Sequence, residues 1–143
     1  MVKHIRQLRR IDPILMGYWI YLRFLAVICL GMGTCYWIRL VGIFPGELWR
    51  IDHMPWQWQV LTGIFCVLYP IASLGLWMLS PWGIVLWIVA AITETLAFTF
   101  YHSYFGYMPL IALLHCLLIL LFILFQVVMF LKKRHKVVAI TEY

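Results

Sequence analysis

The sequence predicts an all-α membrane protein: an antiparallel bundle of four transmembrane helices with both termini cytoplasmic. Three observations predict it. The first is composition. Of 143 residues, 66% are hydrophobic and only 11% charged, and mean hydropathy is +0.97. A soluble chain is about half apolar and about a quarter charged, so lipid is the expected solvent. The second is punctuation: prolines, glycines and short polar stretches cut the chain into four apolar runs, each long enough to cross about 30 Å of hydrocarbon. The third is charge placement. The net charge is +6, but the basic residues cluster at the two ends beside apolar runs. There they would face anionic headgroups and set orientation, so a nucleic-acid partner is not expected. No internal repeat or low-complexity stretch divides the chain, and residues 1–143 read as one domain.

The elements follow in order. The basic end, 1–12, carries Lys3, Arg6, Arg9 and Arg10. Asp12 then reads as an N-cap, with Pro13 at the first helical position. The first span covers about 14–42, roughly 45 Å of helix at 1.5 Å per residue. That exceeds the hydrocarbon thickness, so its first turns should lie among headgroups, with Arg23 snorkelling toward them. This run is too long for a cleavable signal peptide, and no small-residue cleavage site follows a short core. "IFPGELWRIDHMP", residues 43–55, is a turn-rich polar loop. The second span, about 56–79, contains Pro70, which should kink it and free the carbonyl of Cys66. In "LSPWG", Ser80 is a cap and Pro81 a helix opener. Spans joined this tightly are antiparallel neighbours. The third span covers about 82–104. "FGYMP" turns the chain, and the fourth span, about 109–131, is almost pure Leu, Ile, Phe and Val. The basic end, 132–143, follows with Lys132, Lys133, Arg134 and Lys136 and is expected to be loose. The 43–55 loop sets Arg50 against Glu47 and Asp52, so the positive bias places both ends in the cytoplasm.

Glu94 lies inside the third span, about 13 residues past Pro81 and so roughly 20 Å along the helix. A carboxyl group at that depth marks a functional site by default. It either keeps its proton or finds a partner. Candidates are Arg39, which leans inward from the far end of the first span, and His115 on the fourth. Tyr36, Tyr101 and His102 would complete the cluster, Tyr101 being seven residues from Glu94 and on the same helical face. The preferred reading is a structural pairing that fixes helix packing. The sharper one is a proton or substrate site, and a contact with another protein is the third. His102, His115, Cys66 and Cys116 show no HxxxH or CxxC spacing, so no metal or other cofactor is expected. The four cysteines, Cys29, Cys35, Cys66 and Cys116, are expected to be buried, inert thiols. Gly31, Gly33, Gly63 and Gly75 would permit close helix approach. In the outer loop, Trp49, Trp56 and Trp58 read as an aromatic belt. The alternative is a docking surface for a partner, with Arg50, Asp52 and His53 as specific contacts.

The runs "YWIRLVGIFPG…WRIDHMPWQWQV", "YPIASLGLWMLSPWGIVLWIVAAITE" and "YFG" resemble an uncharacterised family of small four-span inner-membrane proteins of alphaproteobacteria. The likeness covers roughly residues 36–106 and rests on Trp, Pro and Gly positions together with Glu94. It implies four helices in a bacterial cytoplasmic membrane and carries over no catalytic residue. Three functions compete. The first is a non-enzymatic accessory subunit that binds a larger membrane or envelope complex, or a second copy of itself. The second is a small carrier or flippase working through a polar path at Glu94, Arg39 and Pro70. The third is a membrane enzyme, for which the sequence holds no Ser/His/Asp set, phosphate loop or paired carboxylates. The first is preferred.

Overall fold

The computed structural model describes residues 12–106 and 108–141, with side chains described through Arg134. The basic segment with Lys3, Arg6, Arg9 and Arg10, residue 107, residues 142–143 and the side chain of Lys136 lie outside the described residues. Within them the chain is helical: α1 (Pro13–Val41), α2 (Trp56–Trp77), α3 (Pro81–Thr99), the single turn α4 (His102–Phe105) and α5 (Pro109–Thr141). Four of these are long and apolar enough to cross a membrane.

Local chemistry accounts for the boundaries. The Asp12 carboxylate accepts a hydrogen bond from the Ile14 amide at 3.4 Å, and Pro13 supplies a first residue that needs no donor. α1 stops where Gly42 turns left-handed at φ 74°, its amide bonding the Ile38 carbonyl. Inside α2, Pro70 interrupts the backbone ladder, and its ring lies against α1 at Gly33. A Cβ built there would come within 2.7 Å of the proline Cδ. α2 closes through Leu79 at φ 57°. Ser80 stands at the N-cap of α3, but its side chain makes no capping bond. Its backbone carbonyl instead accepts from the Gly83 amide at 3.2 Å.

Next to this turn, α2 and α3 meet backbone to backbone. A Cβ on Gly75 would lie 2.5 Å from the Gly83 Cα, so only glycine fits. Of the four glycines expected to permit close approach, Gly33 and Gly75 do so. Gly31 and Gly63 face open space, with nothing within 4 Å of a built Cβ.

Two boundaries differ from expectation. α3 ends at Thr99 rather than near 104, and the chain makes the separate turn α4 before Gly106 at φ 78°. The basic tail is not loose: α5 continues through "KKRHK" to Thr141. After Pro109 the sequence contains no proline or glycine, so nothing terminates the helix.

α1 packs along α2, α2 against α3, and α3 against α5, while α5 touches α1 only sparsely. The centre is filled by Leu25, Phe65, Tyr69, Leu76, Trp87 and Ala90. Of the α5 side chains described, only His115 and Leu118 are buried. The thiols divide in the same way. Cys29 and Cys66 are buried, but Cys35 and Cys116 are exposed.

Candidate functional site

Glu94 is fully buried in α3. Ala90, Ala91 and Ala97 stand one turn away on either side, and all three are buried. Their short side chains let the neighbouring helices approach the carboxyl group. Tyr36 of α1 donates its hydroxyl to Oε1, and Tyr69 of α2 donates to Oε2. His115 of α5 adds a longer contact, with Nε2 3.5 Å from Oε2 and 3.4 Å from the Tyr69 hydroxyl. The other imidazole nitrogen, Nδ1, lies 3.4 Å from Thr95 Oγ1 on α3. Each of the four long helices therefore contributes to a single polar knot. A bare acid in an apolar interior costs several kcal/mol, and this arrangement occupies both carboxyl oxygens. Two donors on two acceptor oxygens is how a carboxylate is satisfied.

The two tyrosine rings reinforce this geometry. They stack at 6.0 Å and 12°, with Phe65 against both at 5.3 and 5.2 Å. Packing thus fixes the direction of each hydroxyl as well as hydrogen bonding does.

Arg39 makes no ion pair among the described residues. Its guanidinium carbon instead lies 5.6, 5.0 and 5.1 Å from the ring centres of Tyr36, Trp49 and Trp58. This three-ring cage provides cation–π attraction in place of a carboxylate. Its Nε is buried without a hydrogen-bond partner. Both Arg39 and Glu94 line a small cavity of about 160 Å³, together with Cys35, Tyr36, Trp49, Phe98 and Ile111.

Tyr101 and His102, expected in this cluster, are outside it. Because α3 stops at Thr99, the helical periodicity that aligned Tyr101 with Glu94 no longer applies. Tyr101 is 59% exposed. His102 is exposed too and reaches only the Thr99 carbonyl, at 3.3 Å. Conversely, Tyr69 was missed. A tyrosine in mid-span whose hydroxyl needs a partner was the available signal.

In the outer loop, Arg50 clasps Asp52 with Nε and Nη2 at 3.1 and 2.8 Å, and His53 lies 3.5 Å from the same carboxylate. The Arg50 hydrogen bonds hold the Asp52 carboxyl below its ordinary pKa of 3.8. The clasp therefore adds order above that pH and loses it as pH falls below the depressed value. Protection of the 49–54 amides, measured relative to their intrinsic exchange rate at each pH, should fall on acidification through that range, and Asp52→Asn should remove the pH step.

Trp56 is 69% and Trp49 37% exposed, but Trp58 is 1% exposed. Trp58 is not a docking residue: its Nε1 donates to the Tyr104 carbonyl at 3.2 Å, tying α2 to α4. Trp58→Phe should cost about 1 kcal/mol, read as a lower melting temperature in detergent. Beside it, Trp56, Val60, Ile64, Tyr101 and Tyr104 line an open apolar groove of about 470 Å³.

Among the described residues no group of three His, Cys, Asp or Glu side chains could hold a metal ion. No curated protein and no solved structure matches the chain. A family match does exist, and it spans residues 16–133, taking in most of the first and fourth spans that the resemblance over 36–106 left outside. The chain belongs to DUF6163, a family of unknown function.

Proposed function

We propose that this protein is a non-enzymatic accessory subunit that docks onto a larger complex in a bacterial inner membrane. In this reading the four long helices form an antiparallel bundle, and the basic ends hold both termini in the cytoplasm. The short Ser80 turn and the cations Lys132, Lys133 and Arg134 support that topology.

One observation carries the proposal. The acid that would drive transport or catalysis is closed off, with both oxygens taken by the chain's own tyrosines. Its role is then to lock four helices together. What the protein offers to others is its outside: the sparsely packed α5 and the aromatic groove at Trp56, Tyr101 and Tyr104. Exposed aromatic residues of this kind anchor interfaces.

The carrier reading draws on the cavity that Arg39 and Glu94 both line. Purification from native membranes in mild detergent separates the two. The accessory reading predicts one stoichiometric partner, lost on Trp56→Ala or Tyr104→Ala with the melting temperature unchanged. A monodisperse lone protein that moves a solute or lipid after reconstitution would overturn it.

A further inference from the structure

α1 and α2 leave a second groove between them, of about 520 Å³. That is well within the range of small-molecule sites. Val27, Leu30, Pro70, Leu74 and Trp77 form its walls. Ser73, the single hydroxyl in the lining, is already spent, since its Oγ donates to the Ala26 carbonyl at 2.7 Å. Apart from the Trp77 indole N–H, the walls offer no free side-chain hydrogen bond, so an occupant must present hydrocarbon to them.

One end of the groove is charged. Arg23 precedes Val27 by one turn and Leu30 by two, on the same face of α1. Its guanidinium carbon sits 5.8 Å from the centre of the Trp77 ring. Arg23 is exposed and forms no ion pair among the described residues. Trp77 is the last residue of α2, next to the Ser80 turn. In a membrane this sets Trp77 and Arg23 at headgroup depth. From Trp77 to Pro70 the groove descends about 10 Å along the helix.

We propose that this groove seats one acyl chain of an anionic phospholipid, with the lipid phosphate on the Arg23 guanidinium. Basic pockets between transmembrane helices recognise such headgroups, and a guanidinium matches a phosphate in a forked pair. A second copy of this chain is a poorer occupant. Its helices carry one carboxylate among the described residues, the buried Glu94, and a two-fold contact would bring a second Arg23 toward the first. The inference rests on the membrane reading and is independent of the accessory role.

The test is native mass spectrometry of the full chain, titrated with phosphatidylglycerol or phosphatidylcholine bearing identical acyl chains. One phosphatidylglycerol should be retained, bound about fivefold more tightly than phosphatidylcholine. Arg23→Gln should bring that ratio to one, and Arg23→Lys should keep most of it. Leu30→Trp, which fills the groove, should weaken both lipids, and it decides the matter if Arg23→Gln fails to fold. The proposal is overturned by equal binding of the two lipids to the native chain, by an unchanged ratio in Arg23→Gln, by undiminished binding to Leu30→Trp, or by an equal loss in Arg134→Gln. A dimer that retains no lipid would overturn it too.

Discussion

Replacing Glu94 should destabilise the protein more than any other single polar substitution, and the size of the loss should depend on what replaces it. In Glu94→Leu, the Tyr36 hydroxyl loses its acceptor, and the Tyr69 hydroxyl keeps only its 3.4 Å contact with His115. Each buried hydroxyl left without its acceptor costs about 1–3 kcal/mol. In Glu94→Gln the shape is kept, and the amide still offers one carbonyl acceptor. One tyrosine must turn its hydroxyl round to accept from the new NH₂ group, at a cost of about 1–3 kcal/mol. The triple variant Tyr36→Phe, Tyr69→Phe, Glu94→Leu should recover much of the loss, because no orphaned hydroxyl remains. Unfolding in detergent or lipid micelles, followed through a double-mutant cycle, reads the coupling directly. Strict additivity of Tyr36→Phe with Glu94→Leu would show that the hydrogen bond seen between them contributes nothing.

The second large effect is expected at Gly83. A Cβ on this residue would collide with the backbone of Gly75 and Leu76, and neither can move without shifting the helix that carries it. Gly83→Leu should therefore force α2 and α3 apart beside the Ser80 turn. The expected loss lies at or beyond the upper end of the about 1–3 kcal/mol typical of overpacking. Gly63→Leu is the matched control. Nothing lies within 4 Å of its built Cβ, so its melting temperature should stay close to that of the native chain. Equal losses at the two positions would show that close approach does not set the cost at Gly83, since helix propensity favours leucine over glycine at both.

The fold was legible because its boundaries depend on local chemistry. Asp12–Pro13, Pro81 and Pro109 start helices for reasons contained within a few residues, and the apolar runs between them need no tertiary knowledge. The early end of α3 was not legible in the same way. "TFYHSYF" continues the helical pattern, and the chain leaves α3 there because Trp58 holds the Tyr104 carbonyl and the Phe105 ring packs at 5.5 Å on that indole. The long α5 was misjudged for the opposite reason. A basic cluster marks the end of the apolar span but not of the helix, since lysine and arginine are good helix formers.

The site was half legible. A lone acid in an apolar span announces that it needs partners, and Tyr36 and His115 could be chosen from depth. Arg39 could not be resolved by depth alone. It sits near the acid's level, but three aromatic rings, two of them from the 42–55 connection and the start of α2, hold its guanidinium. Trp58 illustrates the same limit, since a tryptophan at a helix start looks like a belt residue until its neighbours are known to enclose it.

Everything turns on the Glu94 carboxyl group being sealed inside the protein and shared among four helices. An apolar carbodiimide, which enters the hydrocarbon and modifies carboxyl groups that face it, tests this in proteoliposomes, with peptide mass spectrometry locating the adduct. Glu94 should stay unmodified in the native chain and become modified after unfolding in strong detergent. Rapid modification of Glu94 in the intact folded protein would contradict the account.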